Sequence, residues 1–108
     1  PEEGARAAAA LLELLPRPAG ILAMSDQLAF GALAHAQEAG LAVPDEVAVV
    51  GFDDLPSARR TTPPLTTVHQ PTVEKGRWAA RLLIAQLRGE RAEGSVVLPT
   101  HLVVRESA

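Results

Sequence analysis

A chain of 108 residues with a net charge of −3, no cysteine and no basic stripe has the size of one small domain with a modest core. Those features exclude a disulfide framework and a thiolate metal site, and they argue against unaided binding of nucleic acid. Hydrophobic residues make up 47% and aromatics only 3%, so the core must be aliphatic and alanine-rich.

No apolar run approaches the roughly 20 residues needed to span a bilayer, so no membrane partner is expected. Pro1-Glu2-Glu3-Gly4 has neither the basic start of a signal peptide nor an initiator methionine. The expectation is a piece of a longer, cytoplasmic protein.

The first element is a helix over 2–15, with Ala8, Leu11, Leu12 and Leu15 on one face. Glu2 and Glu3 favour its first turn, where the helix dipole attracts anions, and Pro16 and Pro18 end it. Gly20 to Met24 reads as a short apolar strand. Ser25 or Asp26 then caps a second helix, about 26–39, whose stripe is Ala29, Leu33, Ala36 and Gly40. Gly40 suits the position just past its end.

Val47-Ala48-Val49-Val50 is a buried-strand run, broken by Gly51 and followed by Phe52 and two adjacent acids, Asp53 and Asp54. Leu55 to Pro64 reads as an irregular excursion, and Leu65 to His69 as another strand. Thr72 is expected to cap a long helix to about Arg88, striped by Val73, Gly76, Ala80, Leu83, Ile84 and Leu87. Two strand segments follow, 96–98 and 101–104, separated by Pro99. The order α-β-α-β-loop-β-α-β predicts an α/β fold with a mostly parallel sheet and flanking helices.

Parallel strands place the Ser25-Asp26 and Asp53-Asp54 pairs on one rim of the sheet, where open α/β sheets bind ligands. A carboxylate there accepts hydrogen bonds from neighbouring hydroxyls, as sugar recognition requires. Asp53 or Asp54 is therefore expected to meet a polar ligand. The competing bland reading has one acid bonding its own turn and the other solvated. An acidic rim also suits Mg²⁺ in a phosphotransfer domain, but a proline-rich loop follows these acids where such a site wants a helix.

His35, His69 and His101 lie more than thirty residues apart, which is not ligand spacing, so no metal site is expected. There is no Gly-x-Ser-x-Gly and no glycine-rich phosphate cradle. Neither catalytic residues nor a cofactor is expected, and the chain does not read as an enzyme.

Four stretches, in order, resemble LacI/GalR-type bacterial transcription regulators. They are Met-Ser-Asp-Gln-Leu-Ala-Phe-Gly-Ala-Leu (24–33), Val-Pro-Asp-Glu-Val-Ala-Val-Val-Gly-Phe-Asp-Asp (43–54), Thr-Pro-Pro-Leu-Thr-Thr-Val-His-Gln-Pro (62–71) and Leu-Pro-Thr-His-Leu-Val-Val-Arg-Glu-Ser (98–107). The resemblance covers nearly the whole chain. It implies part of a two-lobed, periplasmic-binding-protein-like sensor, corresponding to about the last third of such a regulator. DNA would then be reached only through a helix-turn-helix in the missing N-terminal part.

By the same resemblance, 1–69 belongs to the C-terminal lobe. Residues 70–98 give a crossover, helix and strand of the N-terminal lobe, and 99–108 the return crossover and terminal strand. Asp53 matches the family's ligand-contacting aspartate. Ser25, Asp26 and Thr72 are further ligand-binding candidates, although Ser25 and Thr72 depart from the family's usual residues. The family's dimer face corresponds to Phe30, Leu33, Leu55, Arg59 and Thr62. The implied function is sensing a small polar effector, a sugar first, and coupling it allosterically to DNA binding in a dimer. A transporter's sugar-binding protein shares the fold but typically lacks the third and fourth signatures.

Overall fold

The computed structural model describes residues 1–91 and 94–108. Helix α1 spans Glu2–Leu14, strand β1 Ala19–Leu22, helix α2 Asp26–Glu38 and strand β2 Val47–Asp53. A 3₁₀ turn follows at Pro56–Arg60, then strand β3 Thr66–His69, helix α3 Thr72–Leu87 and strand β4 His101–Val103. The four strands form one sheet in the order β1-β2-β3-β4. β1, β2 and β3 run parallel, with Ile21 opposite Val49 and Gly51 opposite Thr67. β4 lies antiparallel on β3, with His101 opposite His69.

The alternation of β2 decides the core. Val47 and Val49 are fully buried, as is Leu65 just before β3. Ala8 and Leu12 of α1 and Ala29, Ala32 and Leu33 of α2 complete the cluster. The two helices pack closely because Gly4 and Gly31 sit at their contact. A Cβ on Gly4 would overlap the Leu28 backbone, and one on Gly31 would overlap the Pro1 carbonyl.

The C-terminal tail is wedged between strands. Ser107 is fully buried, its hydroxyl donating to Val49 O at 2.6 Å and accepting from Thr66 N–H at 2.8 Å. Its carbonyl accepts from Val49 N–H at 2.8 Å. Tail residue 107 thus satisfies backbone groups ahead of the point where β2 and β3 begin to pair.

α3 stands off from this body. None of its residues is buried, and the molecule measures 57 × 24 × 19 Å.

The structure corrects several expectations. Residues 96–98 form no strand: a strand needs a partner ladder, none of the described residues supplies one, and Val97 is 91% exposed. Thr72 does not cap α3; Pro71 holds that position, and the Thr72 hydroxyl points back to Gln70 O at 3.4 Å. Leu33 is only 5% exposed, so it belongs to the core and has no surface to offer a dimer face. Leu11 of α1 and Leu15, just past its end, stay exposed, while Gly4 joins Ala8 and Leu12 on the buried face.

Candidate functional site

The parallel strands bring three carboxylates to one rim, and their partners separate their roles. Asp26 opens α2 and is fully buried. Its Oδ2 accepts from Leu55 N–H at 2.7 Å and its Oδ1 from the Thr67 hydroxyl at 2.5 Å. Gly51 is required beside it, because a Cβ there would overlap Asp26 Oδ1 and come within 2.9 Å of Leu65 Cδ2. Asp26 was expected to contact ligand. With both oxygens engaged inside the protein, it instead ties α2, β3 and the loop after β2 together.

Asp54 is also removed from solvent, its side chain 8% exposed. Its Oδ1 accepts from Arg105 Nη2 at 2.6 Å, and its Oδ2 stands 3.0 Å from His69 Nδ1. A carboxylate only accepts here, so His69 Nδ1–H donates. Burial of the Asp54 carboxyl works to raise its pKa. The hydrogen bonds and positive charges of Arg105 and His69 outweigh burial and leave it below its ordinary value. Arg105 reaches further: Nη1 donates to Leu65 O at 2.8 Å, and its backbone N–H to Thr66 Oγ1 at 2.9 Å. The His69 and His101 rings lie 4.9 Å apart across the β3–β4 pair.

Asp53 is the carboxylate left facing a cleft. Its Oδ1 accepts from Gln70 Nε2 at 2.5 Å, and Gln70 Oε1 lies 3.4 Å from Lys75 Nζ. Asp53 and Asp54 have φ of 128° and 57°, both in the half of conformational space that L residues avoid. Such a backbone is held in place only by its surroundings and recurs where a side chain must be aimed. The cleft has a volume of about 480 Å³ and is lined by Asp53, Asp54, His69, Gln70, Thr72 and Arg77, among others. A pocket of that size suits a small molecule. Carboxylate, amide, imidazole, hydroxyl and guanidinium offer it both acceptors and donors.

Thr72 shares the cleft with Asp53. Ser25 does not. Its hydroxyl caps α2 by accepting from Leu28 N–H at 3.3 Å, and it borders a separate hollow with Glu2, Glu3 and Gln27. Of the expected dimer residues, Phe30 is half-buried against the core and Leu55 half-buried beside Asp26, while Arg59 and Thr62 are exposed. The sequence reading missed Gln70 and Arg105. The only signal for either was its place inside a family-like stretch, which carries no hint of a partner.

A small two-sided cleft beyond the carboxyl ends of parallel strands defines a ligand-binding α/β domain. The family described as "Periplasmic binding protein-like domain" matches residues 1–108. The chain is 42% identical over 107 residues to the "Lactose operon repressor" of Rhizobium radiobacter, covering 99% of this chain and 95% of that sequence. Among solved structures, the "transcriptional regulator CelR-cellobiose complex" superposes with a TM-score of 0.90 at 42% identity, covering 99% of this chain and 33% of that one. The lac repressor dimer bound to operator gives 0.86 at 31% identity, covering 98% of this chain and 37% of that one. The chain belongs to the periplasmic-binding-protein-like family, of the LacI/GalR regulator type. It spans about a third of the HTH-type regulators it matches, 32% of CelR from Thermobifida fusca for one.

Proposed function

We propose that this chain is the C-terminal part of the effector-sensing region of a LacI/GalR-type transcription regulator, a binding protein rather than an enzyme. Asp53 is its principal polar contact with effector. The observation that carries this reading is the contrast on the rim: both oxygens of Asp26 and of Asp54 are taken by internal partners, whereas Asp53 borders the cleft with only the neutral Gln70 amide against it. An acceptor of that kind suits a polyhydroxylated ligand, so a sugar is the effector class proposed. A relative that carries cellobiose in its solved complex supports that choice.

In this reading 1–69 is part of one lobe, and 70–98 carries a crossover and helix of the other. Residues 99–108 form the return crossover and the terminal strand. Gln70 and Thr72 stand where the chain passes between lobes, so effector bound at Asp53 touches both. An effector shifts a lobe equilibrium only by its differential affinity for the two arrangements, and a site spanning both lobes provides that difference. The α2 surface around Phe30, with Leu55, Arg59 and Thr62, is the proposed contact in a homodimer. DNA binding would rest with a helix-turn-helix outside these residues, in the cytoplasm.

The test is calorimetric titration of the intact regulator with cellobiose, ribose and further sugars, wild type against Asp53→Ala. Losing the acceptor leaves ligand hydroxyls unpaired and costs about 1–3 kcal/mol, roughly 5- to 150-fold in affinity. A sugar that binds both proteins equally would remove Asp53 from the site.

A further inference from the structure

Arg105 does not line the cleft, yet its donors converge on the segment that shapes it. Through Leu65 O and Thr66 Oγ1 it is anchored to the start of β3, at 2.8 and 2.9 Å. From that anchor Nη2 reaches the Asp54 carboxylate at 2.6 Å. The arginine side chain is only 12% exposed and the aspartate 8%, so water competes little for this pair.

The neighbouring backbone needs such an anchor. Asp53 and Asp54 are two consecutive non-glycine residues at positive φ, 128° and 57°. Beyond them the Leu55 N–H is fixed by Asp26. Before them the ladder ends with Asp53 opposite His69, and at the turn itself the Asp54 carboxylate is the side-chain tether, gripped by Arg105 on one oxygen and by His69 on the other. Released from that grip, Asp54 is free to relax toward negative φ, which rotates the peptide it shares with Asp53. The Asp53 carboxylate then leaves Gln70 and the cleft.

We propose that Arg105 is a positioning residue for Asp53, acting through the Asp54 carboxylate to hold the strained turn that aims Asp53 into the cleft. Its functional meaning rests on the reading of Asp53 as the effector contact; its test does not, because no effector is used.

The test is NMR of the 108-residue chain, observing the side-chain amide protons of Gln70, which report the bond from Gln70 Nε2 to Asp53 Oδ1. Asp53→Ala supplies the broken-bond reference signal. In Arg105→Gln, under conditions where the β1 and β2 amides keep their wild-type shifts, the Gln70 side-chain signal is expected to move most of the way toward that reference, His69 alone being left on the Asp54 carboxylate. Arg105→Lys keeps the charge but loses the planar fork, so its signal is expected to move part of the way. Loss of general stability alone would leave the signal of the folded protein unmoved. A Gln70 signal that stays at its wild-type position in Arg105→Gln overturns the proposal. Should that variant not fold, a wild-type signal in Arg105→Lys overturns it in the same way. A failed sugar titration bears on the effector reading and leaves this result standing.

Discussion

Removing the Asp26 carboxylate is the sharpest test of how the rim is built. Asp26 is fully buried and accepts two hydrogen bonds, from Leu55 N–H at 2.7 Å and from the Thr67 hydroxyl at 2.5 Å. Hydrogen bonds to an ionised acceptor contribute about 1.5–3 kcal/mol each, and a buried donor left alone costs about 1–3 kcal/mol. Asp26→Ala loses both bonds and strands both donors. It also forfeits the anion at the first turn of α2, worth at most about 1 kcal/mol. The loss expected is therefore about 3–5 kcal/mol, a large part of the roughly 5–15 kcal/mol that holds a small domain together. Asp26→Asn keeps an oxygen for Leu55 and presents an N–H₂ to which the Thr67 hydroxyl can turn its lone pair. Its cost is expected to be about 1–2 kcal/mol. Urea unfolding followed by circular dichroism measures both variants, read as a shift in midpoint at constant slope. A cost below about 1 kcal/mol for Asp26→Ala would refute the structural role assigned to this carboxylate.

Three other outcomes are expected. Gly51→Ala forces a methyl against Asp26 Oδ1 and Leu65 Cδ2; overpacking of that kind costs about 1–3 kcal/mol, seen as a lowered midpoint in the same unfolding assay. The folded-state pKa of Asp54 is depressed, so its stabilisation is complete above the unfolded carboxyl pKa of about 3.9 and is lost as pH falls through the lower folded value. Thermal unfolding should show wild type losing more stability than Asp54→Asn as pH drops below about 4, and equal losses would contradict the clamp. Val73, Leu83, Ile84 and Leu87 of α3 are 70%, 57%, 48% and 79% exposed, and burial is worth about 1.5–3 kcal/mol for each such side chain. The isolated chain should therefore associate in light scattering, and a monomer that binds no hydrophobic dye would contradict this.

The sequence made the layout legible because the signals there are local. The valine-rich run 47–50 announces β2, and Ser25 followed by an alanine-rich stripe announces α2. α2 came out within a residue of where the pattern put it, while β2 does not break at Gly51 but runs on through it to Asp53, because β3 pairs with it there. The segment 96–98 shows the limit of that logic. Val96, Val97 and Leu98 have the composition of a strand, but composition creates no ladder, and the described residues offer none. β4 formed because β3 was beside it.

The candidate site was legible only in part, for a reason of distance along the chain. Asp53 and Asp54 were visible as a pair at the end of a strand, but a sequence gives adjacent acids no means of telling themselves apart. The distinction comes from partners far away: His69 is 15 residues from Asp54 and Arg105 is 51 residues from it. Asp26 failed as a ligand candidate in the same way, because its partners Leu55 and Thr67 lie 29 and 41 residues on. What sorts the three carboxylates is the donor each one meets. A backbone N–H and a buried hydroxyl make Asp26 a fastener. A guanidinium and an imidazole make Asp54 a tether that stays ionised. A single amide, itself within reach of Lys75 on α3, leaves Asp53 the one acid whose partner a ligand hydroxyl can replace without stranding a charge. A sugar binding there exchanges one neutral donor for another. That exchange is cheap, and it occurs at Gln70, beside the first turn of α3. In the proposed reading, the residue that gives way to effector is thus the residue that adjoins the helix proposed to belong to the other lobe.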